Sequence, residues 1–232
     1  MPTITASSVL TRASILLTDP TNIRWPQDEL LIWLNDGQRE VAAYKPNAFT
    51  KNQSLLLVSG TKQTLPSDGV SLISVVRNMG FNGTTPGRSV TLVSREIMDS
   101  QVSSWHSAAG DAEVKHYVYN SFDPKNFYVW PPQPSSNQGS VEIVYVASPT
   151  QAEIDGTITL DDIYVTALLN YIMYRAYSKD AEFAANPNMA MGYYTAFQGI
   201  LSGKFSSENV SSPEAISTPF NQNVVASRTP RQ

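Results

Sequence analysis

The two histidines of the chain lie in one stretch that also carries carboxylates. The stretch HSAAGDAEVKH contains the possible metal ligands His106, Asp111, Glu113 and His116. Proteins hold zinc with three or four such side chains that converge on one point. The spacing matches no pair on one helix face, and the stretch passes from a predicted loop into a predicted strand. We therefore predict no metal site, with His106 in a loop beside Trp105 and His116 on a sheet face.

Nucleophilic and phosphate chemistry also lack a supporting pattern. A Ser-His-acid hydrolase would have to use His106 or His116 as its base, and no G-x-S-x-G turn is present. The chain has no cysteine, which excludes thiolate catalysis, disulfides and Cys-bound zinc. The stretch GFNGTTPGR, residues 80–88, lacks the Lys-Ser/Thr pair of a phosphate-binding loop. We interpret this stretch as a turn or a mobile loop.

Glycoside hydrolysis would require a pair of carboxylates. Glu96 with Asp99 and Asp161 with Asp162 are the candidate pairs. The first pair lies on a polar helical turn, and the second is explained by the preference for acidic residues at a helix start. Neither pair stands out, so we predict no catalytic residue, no cofactor and no enzymatic activity.

Aromatic residues concentrate in the middle of the chain and allow two interpretations. They could form a platform for sugars or bases, or they could be ordinary cross-strand pairs of a sheet. We favour the second interpretation because only Lys115 and Lys125 accompany them. The residues are Tyr117, Tyr119, Phe127, Tyr128, Trp130 and Tyr145.

The charge balance disfavours a protein that grips nucleic acid. The 232 residues include 16 Lys and Arg against 20 Asp and Glu, a net charge of −4, and no basic run. Binding to phosphates without sequence preference requires clustered basic residues. A weakly acidic protein would instead let DNA pass nearby without binding it.

The N-terminal stretch MPTITASSVLTRASILLTDP has no basic region followed by a continuous apolar run. We therefore predict no signal peptide. No run approaches the roughly 20 apolar residues of a membrane span. We expect the protein to fold in the cytoplasm.

The elements that must position these residues begin with two helices in residues 1–46. The first helix has apolar residues at helical spacing, and the second follows Pro26 and ends at Pro46. The predicted core positions of the first are Ala6, Val9, Leu10, Ala13, Leu16 and Leu17. Those of the second are Leu30, Trp33, Leu34, Gly37, Val41 and Tyr44.

Residues 47–154 change to short alternating runs that indicate an inserted antiparallel β module, a sandwich or barrel-like. The clearest feature is a hairpin over Val114–Trp130 that turns at Asp123–Pro124. A short helical turn is predicted over Ser94–Gln101. The other predicted strands are Ser54–Val58, Val70–Val76, Ser89–Val93 and Ser140–Val146.

Residues 155–204 return to helix, and residues 205–232 form an extended C-terminal tail. One helix is predicted from a cap at Thr159 to about Ser178, and another from Asn186–Pro187 to about Gly203. The fold class is therefore α+β, a bundle of two N-terminal and two C-terminal helices with an inserted β module. The tail has no periodicity, and its isolated apolar residues are Val210, Ile216, Phe220, Val224 and Val225.

The C-terminal helices are apolar on nearly every side. A helix of this kind is buried, and four short helices offer too few partners to enclose it. Methionine and tyrosine suit contact surfaces. We predict contacts between identical subunits, and the alternative is a tight bundle covered by the β module. The predicted subunit-interface residues are Tyr164, Leu168, Tyr171, Met173, Tyr174, Tyr177, Met189, Tyr193 and Tyr194.

Several segments between Arg24 and Gln198 resemble the adaptor (head-to-tail connector) proteins of short-tailed bacteriophages. They are RWPQDELLIWLNDGQREVAAYKP, VKHYVYNSFDPKNFYVWPPQP, VEIVYVASP and LDDIYVTALLNYIMYRAYSKDAEFAANPNMAMGYYTAFQ.

The resemblance implies a structural virion protein that forms a ring, typically of twelve copies. Such a ring binds below the portal protein and above the tail nozzle, and it leaves a channel for DNA. It also implies a C-terminal extension that grips the portal, which would make the apolar tail residues anchors. The alternatives are a nozzle or tail-tube component, and a virion protein that binds glycans or degrades cell walls.

Overall fold

The computed structural model describes residues 3–180 and 186–211, with side chains up to residue 204 in the last segment. The chain divides into two units. The helical unit takes its described residues from Met1–Lys45 and Gln151–Gln232, and the β unit is Pro46–Thr150. The predicted α+β class is confirmed.

The described residues form five α-helices and seven strands. The helices are α1 Ala6–Leu16, α2 Gln27–Tyr44, α3 Arg95–Gln101, α4 Val165–Lys179 and α5 Asn186–Ser211. The strands are β1 Thr50–Leu56, β2 Gly60–Thr64, β3 Gly69–Asn78, β4 Thr91–Leu92, β5 His116–Tyr119, β6 Asn126–Gln133 and β7 Ser140–Ala147. Short 3-10 helices occupy Pro46–Phe49, Trp105–Ser107 and Asp162–Tyr164.

Helix α4 packs against α1, α2 and α5 and forms the centre of the helical unit. Gly37 allows α2 to come close, because a Cβ there would lie 3.1 Å from Tyr171 Cδ1 and 3.3 Å from Leu168 Cδ2. Burial of each large aliphatic side chain contributes about 1.5–3 kcal/mol. The fully buried large residues of this unit include Leu10, Leu30, Leu34, Ile158, Leu160, Leu168 and Phe197.

Two buried amide side chains of α2 hold the segment between β7 and α4 against the helices. Asn35 donates through Nδ2 to the Ala152 carbonyl at 3.1 Å and accepts from the Ala152 N–H at 2.8 Å. Gln38 donates to Asn35 Oδ1 at 3.1 Å and accepts from the Thr159 N–H at 2.9 Å. Every bond replaces one to water, so these buried polar groups cost little free energy.

The sequence predicted that this helix begins after a cap at Thr159, but α4 begins later. The chain first makes the 3-10 turn Asp162–Tyr164, and α4 starts at Val165. The Asp162 carboxylate is turned to the N-terminal segment, where it accepts from the N–H groups of Thr3 at 2.9 Å and Ile4 at 3.2 Å. A carboxylate engaged in this way does not cap its own helix.

Helix α5 continues to Ser211, past the end predicted at Gly203. An interior glycine costs a helix only about 1 kcal/mol, and the next proline after it is Pro213. The first residues of the predicted tail are therefore helical. Two predicted core residues, Leu16 and Tyr44, are exposed because each is the last residue of its helix.

The β unit consists of two sheets. One is antiparallel with the order β1-β7-β3, and the other is mixed with the order β2-β6-β5-β4. A shared core lies between them, including Phe127, Val129, Ile143 and Tyr145. The arrangement is sandwich-like, and the described strands close no barrel. The pairing of β4 with β5 is parallel, which departs from the purely antiparallel module that was predicted.

Strand β2 was not predicted, because GTKQT has neither an apolar alternation nor β-branched residues beyond two threonines. The strand is held instead by its amide side chain. Gln63 accepts from the Val58 N–H at 2.7 Å and donates to the carbonyls of Val58 at 2.8 Å and Gly60 at 3.2 Å. Gln63 is buried, and it closes the turn between β1 and β2.

Strand β3 contains three bulges against β7. The register shifts after Gly69, Leu72 and Val75, and each shift leaves one β3 residue without a partner on β7. The unpartnered residues are Val70, Ile73 and Val76, all of them exposed. The buried positions therefore recur every three residues instead of every two.

Candidate interaction surfaces

Each histidine is held by an aromatic ring and a threonine hydroxyl. The His106 ring stacks on Trp105 with centroids 3.7 Å apart, and its Nδ1 lies 2.8 Å from Thr61 Oγ1. His116 lies on β5, stacks on Trp130 at 5.6 Å, and has its Nδ1 2.5 Å from the Thr91 hydroxyl. Burial lowers the pKa of His116.

The four possible metal ligands are not gathered at one point. Among the residues that the structure describes, no three of the types His, Cys, Asp and Glu are grouped so that they could hold a metal ion. The predicted positions of His106, in a turn beside Trp105, and of His116, on a strand, are confirmed.

One carboxylate of each candidate pair has structural partners. Asp99 accepts from Trp105 Nε1 at 2.9 Å and from Arg95 Nε at 3.3 Å, and these hydrogen bonds lower its pKa. The hydroxyl and N–H of Thr3 likewise lower the pKa of Asp162. A general acid at neutral pH needs a raised pKa, so neither carboxyl is suited to donate a proton.

The six aromatic residues in the middle of the chain, for which sheet packing was predicted over a binding platform, do not form one surface. Tyr117, Phe127 and Tyr145 are buried in the core between the sheets. Tyr128 and Trp130 instead pack against a second cluster around Met98, Trp105 and Val118, and Tyr119 is half-buried at the edge of the core. The interpretation as ordinary sheet packing agrees with this division.

The glycine-rich stretch 80–88 is a turn. Gly80 and Gly83 have φ values of 64° and 70°, and Asn82 Oδ1 accepts from the Thr84 N–H at 3.1 Å. The stretch lines an open pocket of about 330 Å³ together with Asp111 and Glu113. Arg88 of the stretch also lines the pocket and pairs with Glu113 at 4.0 Å, so the lining keeps a net negative charge, which disfavours a phosphate.

Part of the predicted subunit interface is buried within the helical unit itself. Tyr164, Leu168, Tyr171 and Met173 are each less than a tenth exposed. Sequence periodicity could not anticipate this burial, because it shows which positions of α4 are apolar but not which helices cover them. Helix α2 packs on Leu168 and Tyr171 at Gly37, and α5 adds contacts such as the Tyr171–Phe197 ring pair at 5.3 Å.

The remaining predicted residues line the seam between α4 and α5. Tyr174 meets Tyr194 with ring centroids 4.8 Å apart, and Tyr177 stacks on Tyr193 at 5.6 Å with nearly parallel planes. These four tyrosines are half-buried. Met189 is exposed, as is its neighbour Met191, at 65%.

The outer face of α5 carries three glycines and no charged side chain between Asn186 and Gly203. No Asp, Glu, Lys or Arg occurs from Asn186 to Gly203. A Cβ added at Gly192, Gly199 or Gly203 would meet no atom within 4 Å. These glycines are therefore not needed for packing against α4, although each lowers helix stability by about 1 kcal/mol relative to alanine.

Sequence reasoning did not anticipate several exposed apolar residues in the described part of the helical unit. Ile23, in the loop between α1 and α2, is 84% exposed, and Ile15, Leu16 and Ile163 are exposed as well. Nothing in their local pattern distinguishes them from core residues. Of the predicted portal-binding residues, Val210 falls within α5, and the others, Ile216, Phe220, Val224 and Val225, lie outside the described residues.

Comparison with known proteins identifies the family. The family model of the SU10 adaptor protein matches residues 4–219, which include both units. No curated protein matches the chain. No helix within the described ranges is long and apolar enough to cross a membrane. The match bears out the resemblance seen in the sequence, and the chain belongs to the SU10 adaptor family, whose members are head-to-tail adaptors of phage virions.

Proposed function

We propose that this adaptor is a non-enzymatic virion protein that forms a ring, of twelve copies, between the portal protein and the tail nozzle. DNA passes through the lumen without specific binding. The proposal rests on the family match and on one observation, the outer face of α5, which a single copy leaves in water.

The composition of that face suits contact with a neighbouring copy. Exposed Met189 and Met191 provide apolar area, whose removal from water contributes about 25 cal/mol per Å². The absence of charge from Asn186 to Gly203 avoids the desolvation of ions. Glycines with open space above them let another backbone come close. We infer that Tyr174, Tyr177, Tyr193 and Tyr194 border this contact.

The C-terminal residues are proposed to bind the portal. The residues after Ser211 could span roughly 70 Å if fully extended, and they carry Ile216, Phe220, Val224 and Val225 on a polar background. Each apolar residue would add a small contact. Repetition around a ring would multiply these contacts into strong avidity.

The ring is tested by mixing the protein with the purified portal protein of the same phage and imaging the product by electron cryomicroscopy. We expect a ring of adaptors on the portal with the wild type. Met191→Glu should prevent a complete ring, because it places a charge in the proposed contact. Ile163→Glu is the matched control, since Ile163 is 61% exposed against 65% for Met191.

Two results would count against the proposal. One is a wild-type chain that stays monomeric on the portal. The other is equal assembly of wild type and Met191→Glu, which would remove α5 from the contact.

A further inference from the structure

We propose that Ile23 of one copy inserts into the groove between α4 and α5 of the next copy, with Arg12 of the first copy facing Glu40 of the second. This inference rests on the ring proposed above and names the two surfaces that would join it. It assigns the α1–α2 loop a role in assembly that neither the sequence pattern nor the family match indicates.

The loop that carries Ile23 is rigid. The Asp19 carboxylate accepts from three consecutive N–H groups, those of Ile23 at 3.1 Å, Arg24 at 2.8 Å and Trp25 at 2.9 Å. Asn22 adopts a φ of 53° and accepts at Oδ1 from the Ser14 hydroxyl at 2.5 Å. Three backbone donors bound to one carboxylate leave this loop little freedom.

The residues after Ile23 fasten the loop to the helices. Arg24 forms an ion pair with Asp180, and Trp25 is buried against Trp33 with ring centroids 6.0 Å apart. Ile23 nevertheless remains 84% exposed. A side chain already fixed in position loses little conformational entropy on binding, so this geometry is that of a preformed anchor.

The receiving groove is apolar and lies in the same unit. It has a volume of about 410 Å³, and no charged residue lines it. The lining residues are Tyr174, Ser178, Pro187, Ala190, Met191 and Tyr194. Because Ile23 is almost fully exposed, it does not fill the groove of its own molecule. A second copy is the occupant that has the matching side chain.

Opposite charges near the two surfaces are a second argument that the groove binds another copy of the chain. Arg12 is the one charged residue of α1, lies one turn before the exposed Ile15 and Leu16, and has no ion-pair partner among the described residues. Glu40 of α2 likewise lacks an ion pair in the described part of the chain. Glu40 lies on the side of α2 that meets α5, one turn before Tyr44, whose ring packs on Phe197 with centroids 6.4 Å apart and whose hydroxyl accepts from Gln198 Nε2.

An anchor and a groove that are different surfaces of one chain join copies head to tail. Contacts of this kind produce closed rings or open filaments, whereas a self-complementary surface stops at a dimer. The proposed contact is therefore of the type that a ring requires.

The absence of cysteine allows a direct cross-linking test. Ile23→Cys and Met191→Cys are combined in the full chain, which is assembled on the portal and treated with a short bis-maleimide. We expect a ladder of covalent oligomers from the double variant. An equimolar mixture of the two single variants should stop at covalent dimers, because each has only one half of the junction.

The matched control replaces Met191→Cys with Ile163→Cys, a residue of similar exposure outside the groove. Cross-linking of the control pair equal to that of the Ile23–Met191 pair overturns the contact. So does an absence of cross-links on rings that image normally, and in that case the proposed ring survives without this junction. A wild type that forms no ring on the portal overturns the ring and the contact together.

A charge exchange gives a second readout. Arg12→Glu and Glu40→Arg alone should each weaken assembly about two- to fivefold, as expected for a surface ion pair. The two changes in one chain should restore it, because every junction then regains opposite charges. Failure of the double variant to recover, with both singles folded by circular dichroism, counts against the pairing of Arg12 with Glu40.

Discussion

At the scale of single residues, two glycines of the helical unit have opposite surroundings. A Cβ on Gly37 would crowd Tyr171 and Leu168 between α2 and α4, whereas a Cβ on Gly199 would meet open space on α5. The first glycine is explained by packing inside one copy. The second has no such explanation inside the copy, and we attribute it to the proposed contact with a neighbour.

We expect Gly199→Ala to stabilise the isolated protein by about 0.5–1 kcal/mol, because alanine favours the helix. The same change should weaken ring formation on the portal by filling the space for the neighbouring backbone. Urea denaturation and sedimentation measure the two effects. Gly37→Val is the control and should destabilise by about 1–3 kcal/mol through overpacking. An unchanged ring with Gly199→Ala would argue against close approach at this glycine.

Tyr145 predicts a pH effect on the β unit. Burial and the hydrogen bond to Asp68 Oδ1 at 3.1 Å raise the pKa of Tyr145 to about 12 from an ordinary value near 10. A raised pKa in the folded state stabilises the protein below pH 10, and this stabilisation is lost as the pH rises from 10 to 12.

Tyr145→Phe should therefore lower the free energy of unfolding by about 1–2 kcal/mol at pH 7, because the variant lacks the hydroxyl that donates to Asp68. The difference from the wild type should shrink by pH 11. Urea midpoints at the two pH values give the measurement. A difference that stays constant between them would mean that Tyr145 titrates normally.

At the scale of elements, sequence patterns predicted those that carry a clear period or a turn signal of their own. The helices α1 and α2, the hairpin of β5 and β6, and strand β7 follow from period and turn residues. The short parallel pairing of β4 with β5 and the bulges of β3 against β7 depend on partners that are distant in the chain. The Gln63 bonds that hold β2 are likewise invisible to periodicity.

For the candidate interface, the sequence indicated the helices involved but not the orientation of their side chains. Sequence reasoning selected α4 and α5 by composition, but composition does not say which tyrosines face the neighbouring helix and which face solvent. Ile23 was missed because its exposure results from the bonds of Asp19, which no apolar pattern reveals.

The three bulges of β3 predict that substitutions at adjacent positions of this strand differ strongly in their effect on stability. Leu72 is buried, whereas Ile73 is an unpaired and exposed bulge residue. Leu72→Ala should lower the free energy of unfolding by about 2–4 kcal/mol, and Ile73→Ala by no more than about 0.5 kcal/mol. Denaturant titrations of the two variants provide the comparison. Equal losses would show that β3 alternates in the ordinary way.

At the scale of the whole molecule, removal of the C-terminal residues tests their proposed role. The truncation should follow Ser211, since a cut at residue 204 would shorten α5. We expect a folded protein with an unchanged melting temperature that no longer binds the portal stably. Co-sedimentation with portal rings measures this. A truncated chain that binds as the full chain does would exclude the C-terminal residues as anchors.

The β unit begins and ends on neighbouring strands, since Thr50 at the start of β1 pairs with Val146 near the end of β7. The chain therefore leaves this unit beside the point where it entered, at the same end of two neighbouring strands. A module with adjacent ends can be enlarged or exchanged while the helices keep their own packing. A relative could in this way carry a different module at this position, with the helical scaffold unaltered.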